Sequence, residues 1–234
     1  MATVFAPQGF KLDKHDTGMA RQNQIDNLLP SGFSTHNFYR GMPVKLNNVG
    51  NIEPVSAADD IIFGIFNGIE YVDGNSQRPV NQSYYIANSP ILANAFLAAD
   101  TGTVTRVYLY TSPDTVYQLQ FTSVLSKSPT GSQFNLNATV QTVTQADGSI
   151  FPFAGNTTPL LISGTAPYGG YSWACVSPTF VEPAFTGQLV CQGLETGVFY
   201  GGNAYDTGFP VAKFIVNSAA MKAAVVQPDY PPAA

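Results

Sequence analysis

Charge is the scarcest feature of this 234-residue chain: Asp, Glu, Lys and Arg make up 11% of it, with 15 acidic and 10 basic residues. An average soluble domain carries about 25%. A net charge of -5 with scattered basic residues excludes the Lys/Arg footprint that neutralises phosphates, so neither nucleic acid nor an anionic membrane is an expected partner. The chain also has only two histidines, two cysteines and one tryptophan. His15 and His36 both lie in the first forty residues, and no Gly-x-Ser-x-Gly elbow accompanies them, so a Ser-His-Asp or Cys-His site has no visible precursor. There is no histidine pair at helical spacing and no Cys-x-x-Cys. Asp59-Asp60 lacks the alternating oxygen ligands of a calcium loop, and Asp13, Lys14, His15 and Asp16 read as a solvated polar run. No metal, cofactor or catalytic residue is expected.

Long apolar runs are missing as well. The best, residues 61–66, falls far short of the roughly 20 residues a spanning helix needs. The start, MATVFAPQGFKLDKHD, has no basic region followed by an apolar stretch, so a product made in a cytosol is expected. Cys175 and Cys191 are compatible with a disulfide, which would contribute ~3 kcal/mol if the geometry allowed it. They are equally compatible with two buried free thiols, the ordinary state in a reducing compartment. Glycosidase chemistry needs only two carboxylates, and Glu53, Glu70, Asp73, Asp114, Glu182, Glu195 and Asp206 are candidates, but nothing in their spacing joins two of them. The three sequons, at Asn81, Asn137 and Asn156, are chance-level in a chain this rich in Asn, Ser and Thr.

What the chain does have is Gly (21), Pro (17), Phe (16) and Tyr (12). From Met42 onward, short apolar or alternating runs are separated by turn residues, which predicts a mainly β fold with a β-barrel or β-sandwich core. Expected strands cover residues 43–46, 61–66, 69–72, 80–86, 103–110, 116–124, 134–144, 160–162, 188–192, 198–200 and 211–216. Asn67-Gly68 allows two readings: a tight hairpin loop, or a bulge or close-approach glycine within one long bent strand. One or two short helices are predicted, over residues 89–100 and 217–224. Residues 1–40 show no sustained apolar period and read as an extended N-terminal arm. Residues 41–225 read as a β-rich domain with a break near 125–150, and 226–234 as a Pro-rich tail.

The stretch GIFNGIEYVDGNSQRPVNQSYY, preceded by the arm and by YRGMPVKLNNVGNIEPVSAADDIIFG, is similar to small structural proteins of tailed bacteriophages that decorate or cement the capsid. Gly64, Gly68, Glu70, Tyr71 and Asp73 match that family's Gly-x-x-x-Gly-x-Glu-Tyr-x-Asp strand. Tyr84 and Tyr85 match its aromatic strand, and Pro113, Tyr117 and Gln120 its last motif. The chain departs at Thr111 and Ser112, where the pattern has acidic residues, and the likeness covers roughly residues 40–125. The resemblance implies a capsid decoration protein of the virion exterior whose partner is the major capsid protein. Homo-oligomerisation as a trimer or dimer is expected, because symmetric assembly covers strand edges. Phe10, Leu28, Leu29, Phe38, Tyr39, Phe66, Tyr71, Tyr84 and Tyr85 are the candidate interface residues. A tail or fibre component binding a host surface glycan through the same aromatic-rich surface is the alternative, and a glycan hydrolase the third reading.

Overall fold

The computed structural model describes residues 7–15, 23–26, 37–48, 50–57, 60–72, 78–85, 106–137, 143–144, 150–151, 172–182, 186–196, 203–206 and 208–217. These residues form sixteen strands and no helix, so the described part of the chain is mainly β. Residues 89–100 and nearly all of 217–224, where the sequence predicts helices, lie outside the described residues, as do the expected strands at 160–162 and 198–200 and the tail. So do Leu28 and Leu29.

One sheet is organised by its longest strand, β6 (Gly64–Val72). Its first half pairs with β4 (Met42–Leu46) and its second half with β7 (Pro79–Gln82), while β9 (Arg106–Tyr110) runs along its other edge. One strand can serve three partners because it changes direction at Asn67-Gly68. There the pairing with β9 slips between Phe66 and Gly68, the signature of a bulge. Gly68 is required by close approach, since a Cβ would lie 2.8 Å from the carbonyl oxygen of Gln82. The bent-strand reading of Asn67-Gly68 therefore holds, and β6 pairs antiparallel with β7 from Ile69 to Val72. β5 (Ile52–Pro54) pairs with β4 and β2 (Asn23–Asp26) with β9, completing six strands. A small pair, β3 (Phe38–Tyr39) with β8 (Tyr84–Tyr85), stands beside this sheet. Phe38 stacks on Phe66 at 5.6 Å, and both join Met42, Val44, Ile69 and Val107 in one buried cluster.

The second sheet runs β1 (Lys11–His15), β10 (Thr115–Gln120), β16 (Val211–Val216), β15 (Leu189–Leu194), β11 (Gln133–Leu136) and β14 (Val176–Phe180). Its apolar residues alternate inward around Phe121, Phe134 and Phe214, whose rings meet edge to face at 4.9, 5.4 and 6.2 Å. Each such aromatic pair contributes about 0.5–1.5 kcal/mol beyond its buried area. The sheet curls until Phe121, just past β10, forms a single parallel bridge with Val176 at the start of β14. The Thr122 N–H also donates to the Val176 carbonyl at 3.1 Å. The ladder itself stays open. A remaining pair, β12 (Val143–Thr144) with β13 (Ile150–Phe151), completes the strands.

The two sheets share a core. Val55, Ile62 and Ile65, on or next to strands of the first sheet, are buried in the cluster that fills the second. A polar clasp ties them as well. Gln188, 3% exposed, donates through Nε2 to the carbonyls of Asp60 (2.7 Å) and Ala57 (3.3 Å), and its Oε1 accepts the Leu136 N–H at 3.0 Å. The Asp60 carboxylate accepts from Lys45 Nζ (2.8 Å) and from the N–H groups of Ser56 (2.7 Å) and Ala57 (2.9 Å). Burial works to raise the Asp60 pKa, but these hydrogen bonds and the lysine charge outweigh it, and the carboxyl titrates below its ordinary range.

Candidate interaction surface

Of the described residues in the first forty, 11–15 and 23–26 are edge strands of the two large sheets and 38–39 a strand beside the first. β1, KLDKH, is an edge strand with Lys11, Leu12 and Lys14 exposed, and three attachments dock it on β10. The first is Phe10, which is buried with its ring edge-on to Tyr117 at 5.3 Å. Its N–H donates to the Gly41 carbonyl at 2.9 Å, and the contact is close enough that both glycines are obligatory. A Cβ on Gly9 (φ +64°) would lie 2.6 Å from that carbonyl oxygen, and one on Gly41 (φ +79°) 3.0 Å from the Phe10 nitrogen.

The second attachment is a polar lock. Lys213 Nζ sits 3.2 Å from Asp13 Oδ2 and 3.1 Å from Glu195 Oε2, while Gln118 Nε2 donates to Asp13 Oδ1 (2.8 Å) and Glu195 Oε2 (3.0 Å). Burial works to lower the Lys213 pKa, but the hydrogen bonds and charges of Glu195 and Asp13 prevail and hold it above the usual lysine value. The sequence reading did not bring two carboxylates together. The structure does, using Asp13, which was not among its candidates, and Glu195, which was. With a lysine and an amide between them, the two carboxylates hold β1 to its sheet. The signal that would have found it is a polar residue at the centre of each of two strands, Gln118 in TVYQLQ and Lys213 in VAKFIV, which face each other in register.

The third attachment is His15, whose Nε2 lies 3.0 Å from Ser112 Oγ. Ser112 belongs to the turn after β9, where its hydroxyl accepts the Asp114 N–H at 3.4 Å and its carbonyl the Thr115 N–H at 3.3 Å. The imidazole thereby ties the end of β1 to that turn.

Of the nine interface candidates, Phe10, Phe38, Tyr39, Phe66, Tyr71 and Tyr85 are buried against their own chain. The sequence leaves open which of Tyr84 and Tyr85 points inward. Tyr85 does, fully buried, and Tyr84 is 37% exposed. The outer face of β6 and β9 carries a second polar group, in which Glu70 accepts from Tyr108 OH (2.6 Å) and Arg106 Nη1 (2.9 Å) beside Gly68. The Tyr108 hydrogen bond is the main reason that the Glu70 carboxyl titrates below its usual range. Burial opposes it, and Arg106 adds to it. Cys175 and Cys191 are free and buried, and burial pushes their thiols up to about 12 and about 11, so neither is a thiolate near neutral pH. Among the described residues no group of three His, Cys, Asp or Glu side chains could hold a metal ion, and no helix is long and apolar enough to cross a membrane. Comparison with protein-family models, curated proteins and solved structures finds no match to this chain, so its surface has to be read from its own geometry.

Proposed function

We propose that the chain is a structural virion protein that binds the outside of a phage capsid and stabilises it. The observation that carries this reading is the N-terminal segment. β1 and β2 are the outermost strands on one side of both six-stranded sheets, and among the described residues no strand pairs with their outer edges. An open edge in two sheets suits a partner that adds a strand or lays a loop along it, with main-chain hydrogen bonds supplying affinity. In this reading the second sheet is barrel-like, curled until the single Phe121 bridge joins its two sides while the ladder stays open, and the first packs on it as a sandwich layer. An arm and one or two short helices complete the chain. The partner is the major capsid protein, met by a dimer or trimer of this chain on the virion exterior, and the work needs neither catalysis nor a cofactor. The resemblance around residues 40–125 supports the same conclusion.

The test is retention on purified capsids beside their resistance to heat. Truncation has to respect the core: removing residues 2–40 deletes the buried Phe10, Phe38 and Tyr39. Replacing the exposed Lys11, Leu12 and Lys14 together with Asp is the cleaner variant. Wild-type protein is expected to raise the temperature at which capsids release their contents, and the variant to be lost from them with its own melting temperature kept. Heat resistance that does not change with the protein bound overturns the reading. The competing reading, a tail or fibre component that binds a host glycan, is favoured by Tyr108, Glu70 and Arg106 on one sheet face, and a glycan array decides it.

A further inference from the structure

Neighbouring strands β1, β10, β16 and β15 bring together Asp13, Gln118, Lys213 and, one residue past the end of β15, Glu195. The ladder between β1 and β10 slips between Leu12 and Lys14, so Asp13 is the bulged residue, and a bulge re-aims its side chain. A primary amine is thereby held against two carboxylates at once, with Lys213 Nζ 3.2 Å from Asp13 Oδ2 and 3.1 Å from Glu195 Oε2. We propose that this ionic lock is the precursor of a covalent one, in which Lys213 Nζ forms an amide bond with Asp13 Cγ and Glu195 relays the protons.

Each contact fits a role in that step. The charges of Glu195 and Asp13 keep the amine protonated, so attack needs a proton acceptor touching Nζ, and the buried Glu195 carboxylate is that acceptor. Gln118 Nε2 donates to Asp13 Oδ1 at 2.8 Å, where negative charge develops as the nitrogen adds to Cγ. The bond from Nζ to Cγ forms and the bond from Cγ to Oδ2 breaks. Of the ammonium protons, one stays on the amide nitrogen and the others leave with Oδ2 as water, by way of Glu195. No oxidant or cofactor enters the balance. The product suits the same partners, since its N–H faces Glu195 Oε2 and its carbonyl keeps the Gln118 hydrogen bond. Amine and carboxylate do not condense readily in dilute water, but groups held in contact react with effective molarities on the order of 10⁵ M or more. Lys45 and Asp60 supply an internal comparison. They lie closer, at 2.8 Å, but among the described residues no second carboxylate is paired with Lys45, so no bond is expected there. The ionic lock is the freshly folded state, and the amide forms within it afterwards. The inference rests on the geometry of the lock and stands whether or not the partner surface is a capsid.

Mass spectrometry of the full chain, intact and digested, tests it. Aged wild-type protein is expected one water below the mass of its sequence, with trypsin no longer cutting after Lys213 and a branched peptide joining the segment of Asp13 to that of Lys213, while Lys45 stays unlinked. Asp13→Asn should link with loss of ammonia in place of water, and Lys213→Arg should give no branch. Glu195→Gln, with its fold checked by circular dichroism, should link ~100-fold more slowly. Aged wild-type protein at its full sequence mass, or a loss of water without the branched peptide, overturns the proposal. Linking of folded Glu195→Gln at the wild-type rate overturns the role given to Glu195.

Discussion

Adjacent tyrosines on β8 face opposite ways, and their substitution separates fold from surface. Tyr85 is fully buried at 6.1 Å from Phe38, and Tyr85→Ala is expected to cost about 3–5 kcal/mol, as for other buried aromatics. Tyr84 is 37% exposed, and Tyr84→Ala should stay within about 0.5 kcal/mol. Urea denaturation of both variants checks this, and equal losses would refute the assignment of faces. The sequence could not choose, because alternation says only that neighbours in SYYI face apart, and two tyrosines carry the same hydropathy. Gly68 was easier to read. Its two possible roles were visible in Asn-Gly, and the carbonyl of Gln82 decided between them.

At the scale of elements, strands with an internal apolar alternation were legible and strands that borrow their order were not. VAKFIV reads directly as β16, whose bounds at Val211–Val216 match the expectation. KLDKH offers no such period, because an edge strand with three exposed residues gains its order from β10 and the lock, which are about a hundred and two hundred residues away. The lock makes a prediction at this scale. Lys213→Met leaves the carboxylates of Asp13 and Glu195 facing each other without their cation. The loss should fall between the ~1 kcal/mol of an exposed pair and the ~3–5 kcal/mol of a buried one, since Lys213 is 30% exposed. Hydrogen exchange should quicken in residues 11–15 while β15 and the centre of β16 remain protected. Unchanged exchange in β1 would mean that the ladder alone holds it.

For the whole molecule, the pairing order β1-β10-β16-β15-β11-β14 joins distant parts of the chain, and no local pattern encodes it. The union of the two sheets was equally hidden, since it joins Val55, Ile62 and Ile65 to a distant cluster and adds Gln188, an ordinary polar residue beside a strand. Gln188→Leu should cost roughly 1–3 kcal/mol for the orphaned Leu136 N–H alone, with a further loss at the carbonyls of Ala57 and Asp60. A single cooperative melt at lower temperature is the expected result, and an unchanged midpoint would contradict the clasp. Acid should act on the whole fold too. Asp60 and Glu70 titrate below their ordinary values of 3.8 and 4.5, so their contribution is complete above about those values and is lost as pH falls through the folded pKa. The urea midpoint should therefore be level from pH 7 to 5 and fall below about 4.5. Asp60→Asn should flatten part of that limb, and an equal slope in the variant would remove Asp60 from the account.

The docking of β1 also bears on the order of events during translation. Asp13 leaves the ribosome 200 residues ahead of Lys213, which at ~5–20 residues per second is a delay of roughly 10–40 s. The segment made first therefore completes its lock only when nearly the whole chain is made, although β10, its partner in the ladder, is made about halfway through that interval.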